Sequence, residues 1–255
     1  MITITNVETY GWEAAIRGMR NPMNSWDKSD SYFGDSYLED ENTYVKSNIG
    51  PNDLDLMKRL VKAGTDHRKF MRMITVSCDI TAPLYWWKEF KTYRSGRKFG
   101  DDEPAIMDII DEGYLEYDIE MNSCSTMHKI HSKEFEIDDF SHEHLDDSVT
   151  QGFSIRDVTG EYAGIDMSSV DFLQLICNVL NLYRCRYLET KDKKNWWQII
   201  QLLPSSYNQK RTVMLNYEVL ANMYKSRKGH KLDEWNEFCD WIEKLPYSEL
   251  ITREE

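Results

Sequence analysis

The chain opens on an alternation. Ile2 and Ile4, with Asn6 in the next place, put one set of side chains on one side of Met1–Tyr10, which reads as a short strand. Trp12, Ala15, Ile16 and Met19 then recur at helical spacing. That helix stops at Asn21-Pro22, because the residue before a proline is pushed out of the helical region. Arg17 and Arg20 lie three apart on its last turn, placed either to favour the helix dipole or to meet a ligand. From Asn21 to Gly50 no period survives. The segment is rich in Asn, Asp and Ser and reads as a long loop, a kind that is often functional. Leu54, Met57, Leu60 and Val61 form the buried stripe of a second helix, capped by Asn52, running to about Ala63 and stopped by Gly64. Phe70–Asp79 reads as a strand with Met71, Met73, Thr75 and Ser77 on one face. Arg72, Ile74, Val76 and Cys78 take the other face, and Pro83 sits in the first turn of the helix that follows.

The second half is helical. Pro104 starts a helix with Ile106, Ile109 and Ile110 inward, and residues 152–165 read as a connection or hairpin. Asp166–Leu188 carries the strongest apolar period, through Val170, Leu173, Ile176, Cys177, Leu180 and Tyr183. Lys193–Leu203 is a further helix ended by Pro204. Thr212–Arg227 and Leu232–Lys244 are two more, parted at Lys228-Gly229, and Pro246 closes the last. There is no internal repeat and no sharp boundary. Helices outweigh strands, so the pattern predicts an α+β fold: one helix-rich domain over residues 1–255 with a small mixed or antiparallel sheet.

Composition narrows the class. The 255 residues are 41% hydrophobic and include 8 Trp, 15 Tyr and 9 Phe, enough for a packed core. No apolar run approaches the roughly 18 residues that span a bilayer. Glu8 and Glu13 within the first twenty residues do not fit a signal peptide. Five cysteines, an odd number without a CxxC pair, point to reduced thiols and a cytoplasmic protein. The net charge of −13 predicts no general binding to nucleic acid and none to anionic membranes. His128 and His131, and the pair His142 and His144, have no third ligand at metal spacing, so no metal is expected. The glycine-rich nucleotide loops, the serine-hydrolase elbow and the HExxH zinc motif are all absent.

The charge is unevenly spread. Asp66–Lys98 holds eight Lys or Arg against three acids, a local balance of +5, together with Tyr85, Trp86, Trp87, Phe90 and Tyr93. Cations beside flat rings suit a ligand with both a phosphate and an aromatic base. The same run is also what a helix shows when its rings pack inward and its cations snorkel to water. Phe99–Asp147 is the reverse, with 16 acids and 2 bases, the character of a solvated face.

Four stretches, in order, are similar to motifs of the flavin-dependent thymidylate synthases, the FAD-using kind unrelated to the ordinary enzyme. GTDHRKF (64–70) resembles the family's Gly-His element before the central strand. ITAPLYWWKEFKTYR (80–94) stands where the family has the helix bearing Arg-His-Arg. NSCSTMH (122–128) resembles Asn-x-x-Ser-x-Arg-Tyr. LLPSSYNQKRTVMLNYEVLANMYKSR (202–227) is like the family's Leu-Pro followed by an Asn-initiated helix ending near an Arg. The departures are equally concrete. Glu89-Phe90-Lys91 and Thr92 replace Arg-His-Arg, Met127 replaces the motif Arg and His128 the Tyr, HKLDEW lacks the closing Arg, and an acidic insertion at about 99–121 separates the second and third stretches.

The resemblance implies the family's fold and chemistry: transfer of a methylene from methylenetetrahydrofolate to dUMP and its reduction by FADH2 to give dTMP, with NADPH as the reductant. It implies cofactor contacts from His67, Arg68, Lys69, Glu89, Lys91, Thr92, Asn122 and Asn216. It implies substrate contacts from Arg94, Arg97, Ser125, His128 and Arg227, with Ser125 and Arg94 catalytic. It further implies a homotetramer with shared sites. The lost motif arginines leave a second expectation, an altered or inactive relative that still binds a nucleotide or flavin. A third is an acidic module that docks a basic protein partner through 99–147.

Overall fold

The computed structural model describes residues 1–34, 36–38, 43–45, 47–90, 92, 119–148, 151–156 and 160–252. The elements in chain order are β1 (Thr3–Tyr10), α1 (Trp12–Arg20), β2 (Ser36–Leu38), β3 (Thr43–Val45), α2 (Pro51–Lys62), β4 (Thr75–Pro83), α3 (Leu84–Phe90), β5 (Ile119–Ser123), β6 (Gln151–Arg156), β7 (Tyr162–Met167), α4 (Ser169–Thr190), α5 (Lys193–Leu202), β8 (Asn208–Asn216), α6 (Tyr217–Arg227) and α7 (Asp233–Ile242). Four strands form one sheet in the order β1–β4–β8–β5, and β2–β3 and β6–β7 form two-stranded antiparallel pairs. The class is α+β and helix-rich, as the pattern predicts. Among the described residues no helix is long and apolar enough to cross a membrane.

The residues fall into two compact units, with the boundary lying within β4 and within β8. The first unit holds Met1–Thr3, Thr81–Glu89 and Ser123–Arg211. Its core is Ile130, Phe135, Phe140, Leu173, Cys177, Leu180 and Ile199, built where α4 lies against α5. Helix α4 begins at a capping box: Ser168 Oγ accepts from the Asp171 amide, and the Asp171 carboxylate accepts from the Ser168 amide. Asp192 caps α5 through the Lys194 amide.

The second unit holds Ile4–Ile80, Phe90–Asn122 and Thr212–Glu255. Here Phe90, Trp235 and Phe238 pack at ring separations of 5.8–6.5 Å, and Val219, Leu220 and Met223 of α6 are buried in the same unit. Helix α2 starts with Pro51 at its first position behind Gly50 and ends at Gly64, whose φ of +98° is the left-handed stop expected there. Asn52 lies inside the helix, so the cap falls two residues earlier than the sequence suggests. Gly11 has φ +86°, and a Cβ there would lie 1.9 Å from the Met73 carbonyl oxygen. The close approach of α1 to the turn before β4 therefore requires glycine.

Several boundaries move. Lys69–Met73 is a 3-10 turn, and β4 starts at Thr75. The turn closes on its own backbone bonds, Met71 to Arg68 and Ile74 to Met71, so its apolar residues bury without a strand partner. The Val76–Cys78 face of β4 is the buried one, continued by Ile80 and Ala82. Strand β8 occupies the start of the region that reads as a helix from Thr212, and α6 starts only at Tyr217. In the region 152–165 the described residues belong to the antiparallel pair of β6 and β7. The helix expected after Pro104 lies outside the described residues, as does the insertion up to residue 118.

Candidate functional site

Of the sequence-selected residues, Lys91, Arg94 and Arg97 lie outside the described residues. The rest fall into two groups, one in each unit.

In the second unit, the turn between α2 and β4 presents His67, Arg68 and Lys69. His67 and Lys69 are exposed, and the His67 amide is fixed by the Gly64 carbonyl at 3.0 Å. Arg68 turns inward to Glu218, which is fully buried. Arg72 reaches the same carboxylate from the next turn of chain, through Nε to Oε2 and through Nη2 to Oε1 at 3.4 Å. Two guanidinium groups thus share one carboxylate. The geometry is a fork on a carboxylate, the arrangement arginine favours over lysine. Arg72 is partly open to solvent, and Lys69 on the same turn is exposed. The chemistry of this donor set fits an anionic group such as a pyrophosphate.

Asn216 stands at the head of α6, two residues before Glu218. Its Oδ1 accepts from the Val219 amide at 3.0 Å, which caps the helix and holds Glu218 on the first turn. The far end of α6 places Arg227 over the Trp235 ring, 4.6 Å from its centre, with Nη1 2.9 Å from His230 Nε2. Thr92 is exposed, and so is Asn122 at the end of β5.

In the first unit, the motif turn after β5 is organised by Ser125. Its Oγ accepts from the amides of Met127 (3.2 Å) and His128 (2.8 Å), which leaves the hydroxyl proton to donate. Ser125, Met127 and His128 are exposed. The turn is tied to β8 through the Cys124 amide, which donates to the Lys210 carbonyl at 3.0 Å, and through Gln209 Nε2, which donates to the Cys124 carbonyl. Gln209 Oε1 in turn accepts from Arg211 Nε and Nη2, at 3.1 and 2.8 Å. The Arg211 guanidinium lies 4.3 Å from the centre of the Trp87 ring, and burial lowers its pKa to about 10. Trp87 is itself buried and donates to the Gln209 carbonyl at 3.0 Å. The cation beside a ring of the Trp helix is thus Arg211 of β8 and not one of the cations of Asp66–Lys98. Glu89 is half-buried on α3.

Sequence reasoning passed over Arg72, Glu218, Gln209 and Arg211. The first two belong to elements that pair only in three dimensions, across 146 residues. The last two alternate with Val213 and Leu215 on the buried face of β8, where polar residues disguise the strand period.

No protein-family model matches the chain, and no curated protein does. Solved structures do. A flavin-dependent thymidylate synthase from Helicobacter pylori, complexed with FAD and dUMP, matches at a TM-score of 0.57 and 14% identity, over 97% of this chain and 98% of that one. A second structure of a Helicobacter pylori thymidylate synthase with FAD and dUMP gives 0.58 and 13%, over 99% and 97%. A UMP/dUMP methylase from Streptomyces cacaoi, bound with 5-bromo-dUMP, gives 0.49 and 14%, over 95% and 88%. The chain therefore has the fold of the flavin-dependent thymidylate synthases, end to end.

Proposed function

We propose that this protein is a divergent flavin-dependent thymidylate synthase, which binds FAD and dUMP and converts the nucleotide to dTMP with methylenetetrahydrofolate and NADPH. The observation that carries the reading is the fold shared with FAD- and dUMP-bound structures over nearly the whole of both chains. The cationic turn supports it by its donor set. In this reading Arg68, Arg72, Lys69 and His67 hold the anionic part of FAD, with Glu218 keeping the two guanidinium groups aligned. The chemistry that the reduced flavin supplies when bound is hydride donation. Asn216 fixes the start of α6, and Arg227, Arg94 and Arg97 supply positive charge for the nucleotide phosphate. Ser125 offers its hydroxyl proton as a donor to substrate, and His128 flanks it on the same turn. The working assembly in this reading is a homotetramer.

A second reading is favoured by one feature. Met127 stands half exposed at the place of the family's motif arginine, so a nucleotide pocket can persist without turnover. One pair of measurements separates the two. dUMP at a hundred times its dissociation constant is expected to stabilise the protein by about 2.7 kcal/mol, a melting-temperature rise of roughly 5–11 °C for a chain of this size. Incubation with FAD, NADPH, methylenetetrahydrofolate and dUMP is then expected to yield dTMP. A shift without dTMP selects the second reading, and no shift with either dUMP or FAD rejects both.

A further inference from the structure

Among the described residues the acidic chain carries a basic and aromatic face whose cations and rings take no part in the proposed reaction, although it adjoins the turn of Ser125 and His128. It lies within the first unit, where the turn Ser123–Lys133 meets the end of α4 and the start of α5. Three contacts hold these pieces together. Arg184 Nε donates to the His131 carbonyl at 3.1 Å, Trp196 Nε1 donates to the Met127 carbonyl at 3.0 Å, and the His131 ring stands edge-on to Tyr187 at 4.9 Å. The end of α4 and the start of α5 carry Arg184, Arg186, Lys191, Lys193 and Lys194, and the turn adds Lys129, against Glu189 and Asp192, a balance of +4 in a chain of −13. Asp192 is already engaged in capping α5.

Rings are interleaved with these cations. Arg186 lies over Tyr183 at 5.8 Å, Lys191 over Tyr187 at 5.8 Å and Lys193 over Trp197 at 5.7 Å. Trp197 is 43% exposed. The helix C-terminus of α4 explains a cation such as Lys191, since the dipole is negative there. It does not explain Lys193 and Lys194, which occupy the positive first turn of α5, where Asp192 at the cap is the acid beside them. Burial first, and then the fields of Lys191, Lys129 and Arg184, depress the His131 pKa, which places these three cations around one ring. His131 Nδ1 has no hydrogen-bond partner among the described residues.

We propose that this face binds single-stranded nucleic acid. A phosphodiester chain offsets the positive charge of these cations, and the exposed part of the Trp197 ring offers a base a surface to stack on. An acidic peptide would use the charges and leave the rings idle, so the pairing of both features selects the nucleic acid. The overall charge of the protein opposes a broad electrostatic footprint, and the proposed contact is accordingly a short one of about four phosphates. This proposal does not depend on flavin binding.

Fluorescence anisotropy of a labelled twelve-residue oligothymidylate, titrated with the full chain, tests it. With about four phosphates engaged, raising salt from about 50 to 200 mM is expected to weaken binding roughly 50-fold. The triple variant Lys191→Glu, Lys193→Glu, Lys194→Glu is expected to lose at least about tenfold in affinity. Trp197→Ala is expected to lose about tenfold through lost stacking. Poly-glutamate of equal length is expected to bind more weakly than the oligonucleotide and to ignore Trp197→Ala. Melting temperatures near that of the wild type keep these losses interpretable, and Lys193→Gln with Lys194→Gln replaces the triple variant if it unfolds. No binding at low salt, unchanged affinity in the charge or Trp197 variants, or equal binding of poly-glutamate would each overturn the proposal.

Discussion

Asp53→Asn is expected to destabilise the protein by about 3–5 kcal/mol, the cost of removing one partner of a buried ion pair. In melting temperature this is roughly 6–20 °C. Asp53 is fully buried and binds Arg20, also buried, through Oδ1 to Nε at 2.6 Å. Its Oδ2 accepts from the hydroxyls of Ser29 (2.7 Å) and Ser31 (2.6 Å) and from the amides of Asp30 and Ser31, both at 3.2 Å. Arg20 also donates to the carbonyls of Ser25 and Lys28, each at 3.0 Å. One carboxylate therefore folds the polar segment after α1 onto α2, and its loss strands a buried guanidinium as well as the donors of the loop. The pH dependence follows from the same contacts. Burial alone raises the Asp53 pKa, but the hydrogen bonds from Ser29, Ser31 and Arg20 and the Arg20 charge outweigh it and hold the value below the ordinary one. A depressed pKa contributes stability that is complete above the unfolded value of about 3.9 and fades as the pH falls through the folded one. The gap in melting temperature between wild type and Asp53→Asn should thus be constant near neutrality and narrow below about pH 4. A variant within about 2 °C of wild type at pH 7 would show that the node does not hold the segment.

Glu218→Gln is expected to have the second largest effect, near the lower end of the same range at about 3 kcal/mol, because Arg72 retains partial access to water. Its signature differs from that of Asp53→Asn. The substitution leaves Arg68 and Arg72 facing each other without their shared carboxylate, so an added anion can take its place. Inorganic phosphate should therefore raise the melting temperature of Glu218→Gln more than that of the wild type. Equal responses of the two proteins to phosphate would mean that the arginine pair is closed to anions, and would remove the support it lends to cofactor binding.

The pattern of the sequence carries α4 and α2 well, because each buries one stripe at helical spacing; α2 also ends at the expected Gly64, whereas α4 runs Ser169–Thr190 against the expected Asp166–Leu188. It carries β8 poorly. Gln209 and Arg211 occupy buried positions of that strand, satisfied by each other, by Trp87 and by the Cys124 carbonyl, and no local rule predicts polar residues there. The turn at Lys69–Met73 is missed for a related reason: Phe70 and Met71 are as apolar as a strand but bury beneath α1, where Gly11 lets the chains touch. Candidate site residues follow the same division. His67, Arg68, Lys69, Ser125 and Asn216 were nameable as candidates because short local motifs contain them. Glu218 and Arg72 were not, since their meaning lies in a contact between the turn and α6, and a capping role for Asn216 emerges only once α6 is seen to start at Tyr217.

The central claim is that this fold still serves a flavin. The most direct measurement is the visible absorption of FAD titrated with the purified protein, with and without dUMP. The account predicts a saturable change in the flavin bands at a fixed ratio of flavin to chain, diminished by Arg68→Ala. A flavin spectrum that stays that of free FAD at protein concentrations well above those of the cofactor would contradict it.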